Sequence, residues 1–396
     1  MHAMGTVHII GAGVSGLAAA AMLAEKHVPV RLYEASSAAG GRARSSTIGA
    51  LSECDHGLHI VDANARELFS YLDRVGARDA LQPMTHPLPL PFAPVADYLE
   101  LARYALRPTS TLDRAVSAES PLAGEWLAPF ARNWLHSDAH QLPAPLAAQA
   151  LRRLVQPAAW RMFHVPKLSR QLITPALDYL ERHGGSLYFS HALKSLVLEQ
   201  GAPHALQFAR KKIALGDSDI VIFATPPAFA ASVIPGLVVP SGTHAAIICH
   251  FAVAHGVSEK LVAAHDSPVD MIHYAPGRIS CSIRVADNQW HEDGELLARR
   301  LWRFLQKRHD TLREQAFPDY ALHREKRAGH ALQPLPLPEA HLPPRVLLAG
   351  DWLDPTRPAT LNAAAGSGHR AARAALALLG GNAQHAQRPP EHYAAP

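Results

Sequence analysis

The segment Gly11-Ala12-Gly13-Val14-Ser15-Gly16 decides the fold of this chain. Gly11 permits a tight turn, and Gly13 lets the backbone approach a pyrophosphate group closely. Gly16 lets the helix that follows pack tightly against its strand. The amide groups and the dipole at the start of that helix favour an anionic ligand.

The residues on either side of this segment complete a βαβ unit. The β-branched run over 7–10 predicts a buried strand, and the alanine- and leucine-rich stretch over 17–25 predicts a helix. A second strand over 28–33 ends at Glu34, whose carboxylate is placed to accept hydrogen bonds from a ribose diol. A glycine motif alone is weak evidence, but in this context it predicts a dinucleotide-binding domain.

Two further motifs extend the expected cofactor site. Gly40-Gly41-Arg42 follows Glu34, and Arg42 offers a fixed charge for a second phosphate. Near the carboxyl end, an apolar strand over 346–350 leads into Gly350-Asp351. Taken alone, Gly350-Asp351 fits a turn with a helix cap equally well.

The order Glu34, then Gly-Gly-Arg-x-x-Ser over 40–45, resembles the flavin amine oxidase and carotenoid desaturase superfamily. This resemblance implies that the cofactor is FAD. It also implies that Asp351 contacts the ribityl or pyrophosphate part, and that the segment around Thr360 and Leu361 places amides near the flavin pyrimidine edge. Gly366-Ser367-Gly368 follows that segment and precedes the final helix.

One subgroup is similar over most of residues 7–375, the squalene-associated FAD-dependent desaturases, or hydroxysqualene dehydroxylases. The matching stretches are Asp55-His56-Gly57-Leu58-His59, Glu325-Lys326-Arg327-Ala328, Gly350-Asp351-Trp352 and Pro358-Ala359-Thr360. The resemblance implies reduction of hydroxysqualene to squalene in squalene and hopanoid biosynthesis. His56, Leu58 and Asn362 depart from the subgroup, which usually has Asn, Gln and Glu there.

The residues expected at the site follow from these motifs and this resemblance. Asp55 and His59 are the catalytic candidates for protonating a departing hydroxyl, although a purely structural hydrogen bond is the competing interpretation for each. The residues expected to bind the cofactor are Gly11, Gly13, Val14, Ser15, Gly16, Glu34, Ala35, Gly41, Arg42, Leu193, Gly350, Asp351, Thr360 and Leu361.

The fold class that follows is α/β, with a Rossmann-like FAD-binding domain interleaved with a helical and β-sheet substrate domain. The FAD-binding segments are predicted at 1–65, 186–235 and 340–380. Substrate-binding and helical insertions are predicted at 66–185 and 236–339, and a disordered tail at 381–396. Hairpin strands are expected over 186–198 and 207–215, and a last helix over 367–379.

The composition of the chain bears on three further properties: nucleic-acid binding, metal binding and membrane spans. A net charge of +4 with interspersed signs permits attraction to an anionic membrane but gives no reason to expect nucleic acid. Three distant cysteines and scattered histidines show no metal-ligand spacing, so no metal site is expected. No apolar run reaches the roughly 18 residues of a membrane span, which predicts a cytoplasmic protein.

The expected partners follow from the resemblance. They are an apolar isoprenoid substrate, the inner face of the membrane as a peripheral contact, and other squalene-forming enzymes. A proline-rich stretch over 83–94, with Leu88, Leu90 and Phe92, is a candidate for the membrane-facing mouth of a substrate channel, although a plain surface loop is the favoured interpretation. The alternatives left open are a phytoene-type carotenoid desaturase, a flavin amine oxidase, and a flavoprotein without catalytic activity.

Overall fold

A computed structural model describes residues 5–240, 242–254, 259–264, 269–285, 290–330, 332 and 342–380. The tail predicted at 381–396 lies outside these residues. The helices are Val14–Glu25 (α1), Arg66–Val75 (α2), Val95–Leu106 (α3), Ala128–Trp134 (α4), Ala144–Arg153 (α5), Thr174–Arg182 (α6), Pro227–Val233 (α7), Gly294–Arg308 (α8) and Leu361–Leu379 (α9).

The strands in the first half of the chain are Val7–Ile10 (β1), Val30–Tyr33 (β2), Ser45–Ile48 (β3), Leu51–Asp55 (β4), Ile60–Asp62 (β5), Gln82–Met84 (β6), Met162–His164 (β7) and Ser186–Tyr188 (β8). Those in the second half are Leu193–Glu199 (β9), Ala202–Phe208 (β10), Lys212–Ala214 (β11), Ile220–Phe223 (β12), Thr243–Ala252 (β13), Lys260–Ala263 (β14), Met271–Ala275 (β15), Arg278–Val285 (β16), Tyr320–His330 (β17) and Val346–Leu348 (β18).

A parallel sheet with the order β18-β12-β1-β2-β8 forms the centre of the α/β part. Val7 of β1 lies opposite Val30 on one side and Ile220 on the other. All four residues of β1 and of β12 are buried, as continuous apolar strands covered on both faces must be. The five strands come from parts of the chain that lie far apart in sequence.

Helices α1 and α9 pack against each other beside this sheet at unusually close range. A side chain at Gly368 of α9 would place its Cβ 2.1 Å from the carbonyl oxygen of Ser15 in α1. Only a glycine at this position lets the two helix backbones meet so closely. Helix α9 begins at Leu361, six residues before the predicted start, because the Thr360 hydroxyl accepts a hydrogen bond from Ala363 N at 3.1 Å and caps it.

A second, antiparallel sheet has the order β14-β15-β16-β13-β17 and packs against α8. Strand β17 was not predicted, since charged residues over 324–327 interrupt its alternation. The hairpin strand expected over 186–198 is instead two strands, of which only the second forms a hairpin. Ser186–Tyr188 joins the parallel sheet, and Leu193–Glu199 begins a separate antiparallel sheet with β10 and β11.

A helical layer containing α3, α4 and α5 packs around Trp126 and Leu112. Leu88 belongs to this apolar cluster and is only 4% exposed, so its predicted place at a membrane-facing mouth is wrong. Phe92, from the same proline-rich stretch, is fully exposed.

Candidate functional site

The three cofactor motifs meet at the carboxyl end of β1, although they lie far apart in the sequence. Gly13 forms a β-bridge with Gly40, and Gly40 N donates a hydrogen bond to Ala12 O at 2.8 Å. Arg42, in the second motif, reaches Asp351 in the third. Ligands of open α/β sheets bind at this edge, outside the carboxyl ends of the strands.

The glycines of the first motif differ in what surrounds them. A Cβ at Gly16 would lie 2.0 Å from Gly11 O, and one at Gly11 would lie 2.4 Å from Ala224 O. At Gly13, by contrast, a Cβ would meet no atom within 4 Å. Gly11 and Gly16 therefore serve the packing of strand and helix, whereas Gly13 borders open space in which a cofactor fits.

The start of α1 faces this open space with free amide groups. Gly13 is the N-cap residue, no side chain caps the helix, and its first turn has no acidic residue. Leu17 N donates within the helix to Gly13 O, which leaves the amides of Val14 and Ser15 without intrahelical acceptors. These donors and the helix dipole suit a pyrophosphate.

Glu34 lies beside the same loop at the end of β2. Its Oε2 accepts a hydrogen bond from Ala12 N at 2.9 Å, and its Oε1 accepts from Ser36 N at 2.9 Å. Oε1 also accepts from Ser36 Oγ at 2.8 Å, so Oε2 is the oxygen with a second lone pair for a ribose hydroxyl. Ala35, the residue after Glu34, is exposed. His191 N donates a hydrogen bond to Glu34 O at 2.8 Å, which holds the backbone just before Leu193 beside the end of β2.

Arg42 and Asp351 form an ion pair across 309 positions of sequence. Arg42 Nη2 donates to Asp351 Oδ2 at 2.6 Å, and Nη1 donates to Ala328 O at 2.9 Å. The Asp351 side chain is 8% exposed and that of Arg42 is 39% exposed. The negative charge of Asp351 raises the pKa of Arg42. Burial of the guanidinium opposes this rise but does not cancel it. The pair fixes a cation beside the glycine motifs.

The segment over 358–368 differs from its expected arrangement in one respect. Gly366, Ser367 and Gly368 lie inside α9, so their amides take part in helix hydrogen bonds, and Ser367 Oγ accepts from Gly350 N at 2.9 Å. Only the first turn, directly after Thr360, has amides free for a ligand. Asn362 accepts hydrogen bonds from Glu67 N and Leu68 N, which caps α2 and explains its role there.

A small cleft adjoins this region and contains both catalytic candidates. It is lined by Asp55, Gly57, Leu58, His59, His164, Val165, Pro166, Leu261 and His273. None of these lining residues is a phenylalanine, tyrosine or tryptophan, so the cleft in the described chain has no aromatic cage of the kind expected in an amine oxidase.

Asp55 is held by several hydrogen bonds within the protein. Its carboxylate accepts from Ser45 Oγ at 2.6 Å, from Leu168 N at 2.9 Å and from Lys167 N at 3.0 Å. Burial raises the pKa of Asp55, and these hydrogen bonds oppose the rise. The contacts join β3 and β4 to the turn before α6, which favours the structural interpretation of this residue.

His59 has more capacity to bind a ligand. Its Nε2 is buried and has no hydrogen-bond partner in the described part of the chain. Burial and the nearby charge of Arg42 lower the pKa of His59 to about 4, so the ring is neutral at pH 7. A buried unpaired ring nitrogen costs roughly 1–3 kcal/mol, a cost that a polar ligand group removes.

His56, one of the departures from the subgroup, lies behind these residues. It stacks on His323 with ring centroids 3.7 Å apart, and its Nε2 lies 2.8 Å from Ser46 Oγ. Burial, and then the charges of His323 and Arg44, lower its pKa to about 3. These contacts give His56 a structural place between β4 and β17.

Comparison with known proteins agrees with this geometry. Residues 9–75 match the family model of the NAD(P)-binding Rossmann-like domain. Over its described fold, the chain is similar to an oxidoreductase from Methanosarcina mazei, with a TM-score of 0.69 and 15% identity over 92% of this chain and 99% of that one. This likeness shows the fold alone.

Two relatives extend the similarity to the whole length. A hydroxysqualene dehydroxylase of Rhodopseudomonas palustris is 30% identical over 94% of this chain and 98% of its own. The hydroxysqualene dehydroxylase of Zymomonas mobilis is 29% identical over 94% of this chain and 99% of its own. The dinucleotide motifs, the interleaved sheets and these full-length matches together show that the chain belongs to the hydroxysqualene dehydroxylase family.

Proposed function

We propose that this protein binds FAD and reduces hydroxysqualene to squalene. The observation that carries the proposal is the match of nearly the whole chain to hydroxysqualene dehydroxylases, which includes the antiparallel sheet and the helices as well as the nucleotide motifs. The cofactor assignment is supported by the open space at Gly13 and by Arg42, a partly exposed cation that Asp351 holds beside the glycine motifs.

The proposed reaction breaks the carbon–oxygen bond of an allylic alcohol and forms a carbon–hydrogen bond at the same substrate. Reduced FAD, when bound, supplies the hydride, and a proton completes the departing water. His59 is the residue that we assign to the oxygen, because its buried Nε2 has no partner within the protein and lines the cleft. Asp55 accepts a hydrogen bond from Leu168 N and so positions the start of the loop that carries His59.

The cleft itself would hold only part of such a substrate. Its cavity volume is about 20 Å³, whereas pockets for drug-sized ligands run from about 300 to 1,000 Å³. A C30 chain must therefore extend well beyond the cleft.

The test is anaerobic incubation of the reduced holoprotein with hydroxysqualene, followed by mass analysis for squalene. We expect squalene to form in proportion to flavin oxidised. Desaturation of phytoene by the oxidised protein, with no squalene formed, would favour the carotenoid desaturase alternative. Bound flavin that neither substrate reduces or reoxidises would favour a flavoprotein without catalytic activity.

We also propose that helix α3 rests on a bilayer containing anionic phospholipid. Val95, Leu99 and Leu106 are 74%, 53% and 74% exposed and share one face of the helix, since they lie four and eleven residues apart. Phe92 extends this face and is fully exposed. Arg103 and Arg107 are exposed along its flank, where they complement anionic headgroups.

This proposal fits the lipid character of the proposed substrate, which must leave a membrane to react. None of the helices that the structure describes has the length and apolar character needed to cross a bilayer. The contact that we propose is therefore made by a surface helix that lies in the interface between membrane and water.

Replacing Phe92, Val95 and Leu99 together by serine should weaken binding to anionic liposomes about 100-fold. Each side chain is worth about 1 kcal/mol when half inserted, and tenfold in affinity corresponds to about 1.4 kcal/mol. Sedimentation with liposomes measures the effect. Leu296→Ser in α8 is the matched control, because Leu296 is 65% exposed on another element. Equal binding by the triple variant and the wild type would rule out α3 as the membrane contact.

A further inference from the structure

Four side chains from separate segments converge beside the cleft, and two of them, His164 and His273, line it. His164 lies in β7, His273 in β15, Glu259 just before β14, and Gln82 in β6. The ligand atoms of His164, Glu259 and His273 all lie within 4.8 Å of one another. We refer to these three residues as the His–Glu–His cluster. The sequence indicated no metal site, because no two of these residues have a recognisable spacing.

The distances within the cluster are poor for hydrogen bonds. His164 Nε2 lies 3.4 Å from Glu259 Oε1, and His273 Nε2 lies 3.6 Å from the same oxygen. Hydrogen bonds of this kind have lengths of about 2.7–3.2 Å. His273 Nε2 is buried and has no hydrogen-bond partner in the described residues.

The same distances suit ligands around a metal ion. Bonds of about 2.0–2.1 Å in tetrahedral geometry place neighbouring ligand atoms about 3.3–3.4 Å apart. Gln82 Oε1 forms a hydrogen bond with His164 Nε2 at 3.1 Å. A bound metal ion would replace this hydrogen bond, and the Gln82 oxygen lies close enough to serve as a further ligand. Two histidines with one glutamate are also a ligand set found in catalytic zinc sites, where one position stays open.

The surroundings of the cluster favour a cation. The His164 and His273 side chains are only 11% and 16% exposed, and an imidazole ring binds a metal ion through the lone pair of one nitrogen. Glu259 is 46% exposed and adds one negative charge, so a divalent ion would meet a complementary site.

We propose that His164, Glu259 and His273 bind a divalent transition-metal ion of the zinc class. Mixed nitrogen and oxygen ligands select this class over Mg²⁺ and Ca²⁺, which prefer oxygen alone. Both histidines line the cleft that also contains His59, so an open coordination position would face that cleft and accept an oxygen ligand. None of these residues belongs to the glycine motifs, and the proposal does not depend on the proposed reaction.

The test uses the full-length, untagged holoprotein, stripped with a chelator and titrated with Co²⁺. We expect one equivalent to bind, with visible absorption bands beyond those of the flavin, and Zn²⁺ to displace it. The His164→Ala/His273→Ala variant should bind Co²⁺ at least 100-fold more weakly. His204→Ala is the matched control, because His204 lies 3.1 Å from Glu199 in an exposed pair with no third ligand.

Two results would overturn the proposal. One is the absence of Co²⁺ and Zn²⁺ binding by the wild type, and the other is undiminished binding by the double variant. Circular dichroism and flavin content show whether that variant folds. If it does not, Glu259→Gln decides the matter, since it removes one ligand charge at a half-exposed position and should weaken Co²⁺ binding at least tenfold.

Discussion

Gly13→Ala is expected to weaken FAD binding ten- to 100-fold while leaving the stability of the apoprotein unchanged. The backbone of Gly13 is extended, with φ −75° and ψ 176°, so alanine adopts it without strain. Its Cβ would meet no protein atom within 4 Å and would project into the space assigned to the pyrophosphate. Overpacking of this kind costs about 1–3 kcal/mol, here in the complex alone.

Gly16→Ala provides the contrast. Its Cβ would lie 2.0 Å from Gly11 O, so the variant must distort the βαβ unit even without a cofactor. We expect a loss of about 3 kcal/mol or more in the free energy of unfolding. Thermal unfolding of the deflavinated proteins and titration with FAD, followed by flavin fluorescence, measure the two effects. Wild-type affinity in Gly13→Ala would show that the cofactor does not pass this glycine.

Arg42→Met should lower the stability of the apoprotein by about 2 kcal/mol and FAD affinity by at least tenfold. Removing one partner of a fully buried pair costs about 3–5 kcal/mol, and the partial exposure of Arg42 reduces this figure. Asp351 would remain buried without its cation, and Ala328 O would lose its donor. The affinity should fall because charge-assisted hydrogen bonds to phosphate are worth about 1.5–3 kcal/mol.

A double-mutant cycle with Asp351→Asn separates the ion pair from other effects. In the apoprotein we expect a coupling energy of at least about 1 kcal/mol. Arg313→Met is the control, because Arg313 forms an exposed pair with Asp310 three residues away and its replacement should change stability by less than about 0.5 kcal/mol. Additive effects of Arg42→Met and Asp351→Asn would contradict the assignment of this pair as a stabilising contact.

The local signals in the sequence predicted the first βαβ unit, β1-α1-β2, well. Strand β1, helix α1 and strand β2 follow from residues that are close together, and Gly13 and Glu34 lie where their motif indicates. Strand β17 could not be predicted in this way. Its charged residues are tolerated because β13, which it pairs with, supplies the buried apolar face.

The residues of the cleft were harder to predict from the sequence. The resemblance pointed to Asp55 and His59, and both line the cleft, but only contacts across the fold show that Asp55 is tied to Lys167 and Leu168. His164 and His273 are likewise more than a hundred positions apart. Single histidines in a chain with 25 of them carry no signal until the sheets bring them together.

The order of strands in the parallel sheet has a consequence for synthesis of the protein. Its edge strand β18 ends at residue 348, and Asp351 follows it, whereas β1 begins at residue 7. A nascent chain on the ribosome therefore leaves β1 without its partner β12 until residue 223 has emerged, and β12 without β18 until residue 348 has emerged. Such long-range pairing slows folding and favours aggregation in the interval. A dinucleotide that contacts both Gly13 and Asp351, as we propose for FAD, can be held only after β18 has joined the sheet.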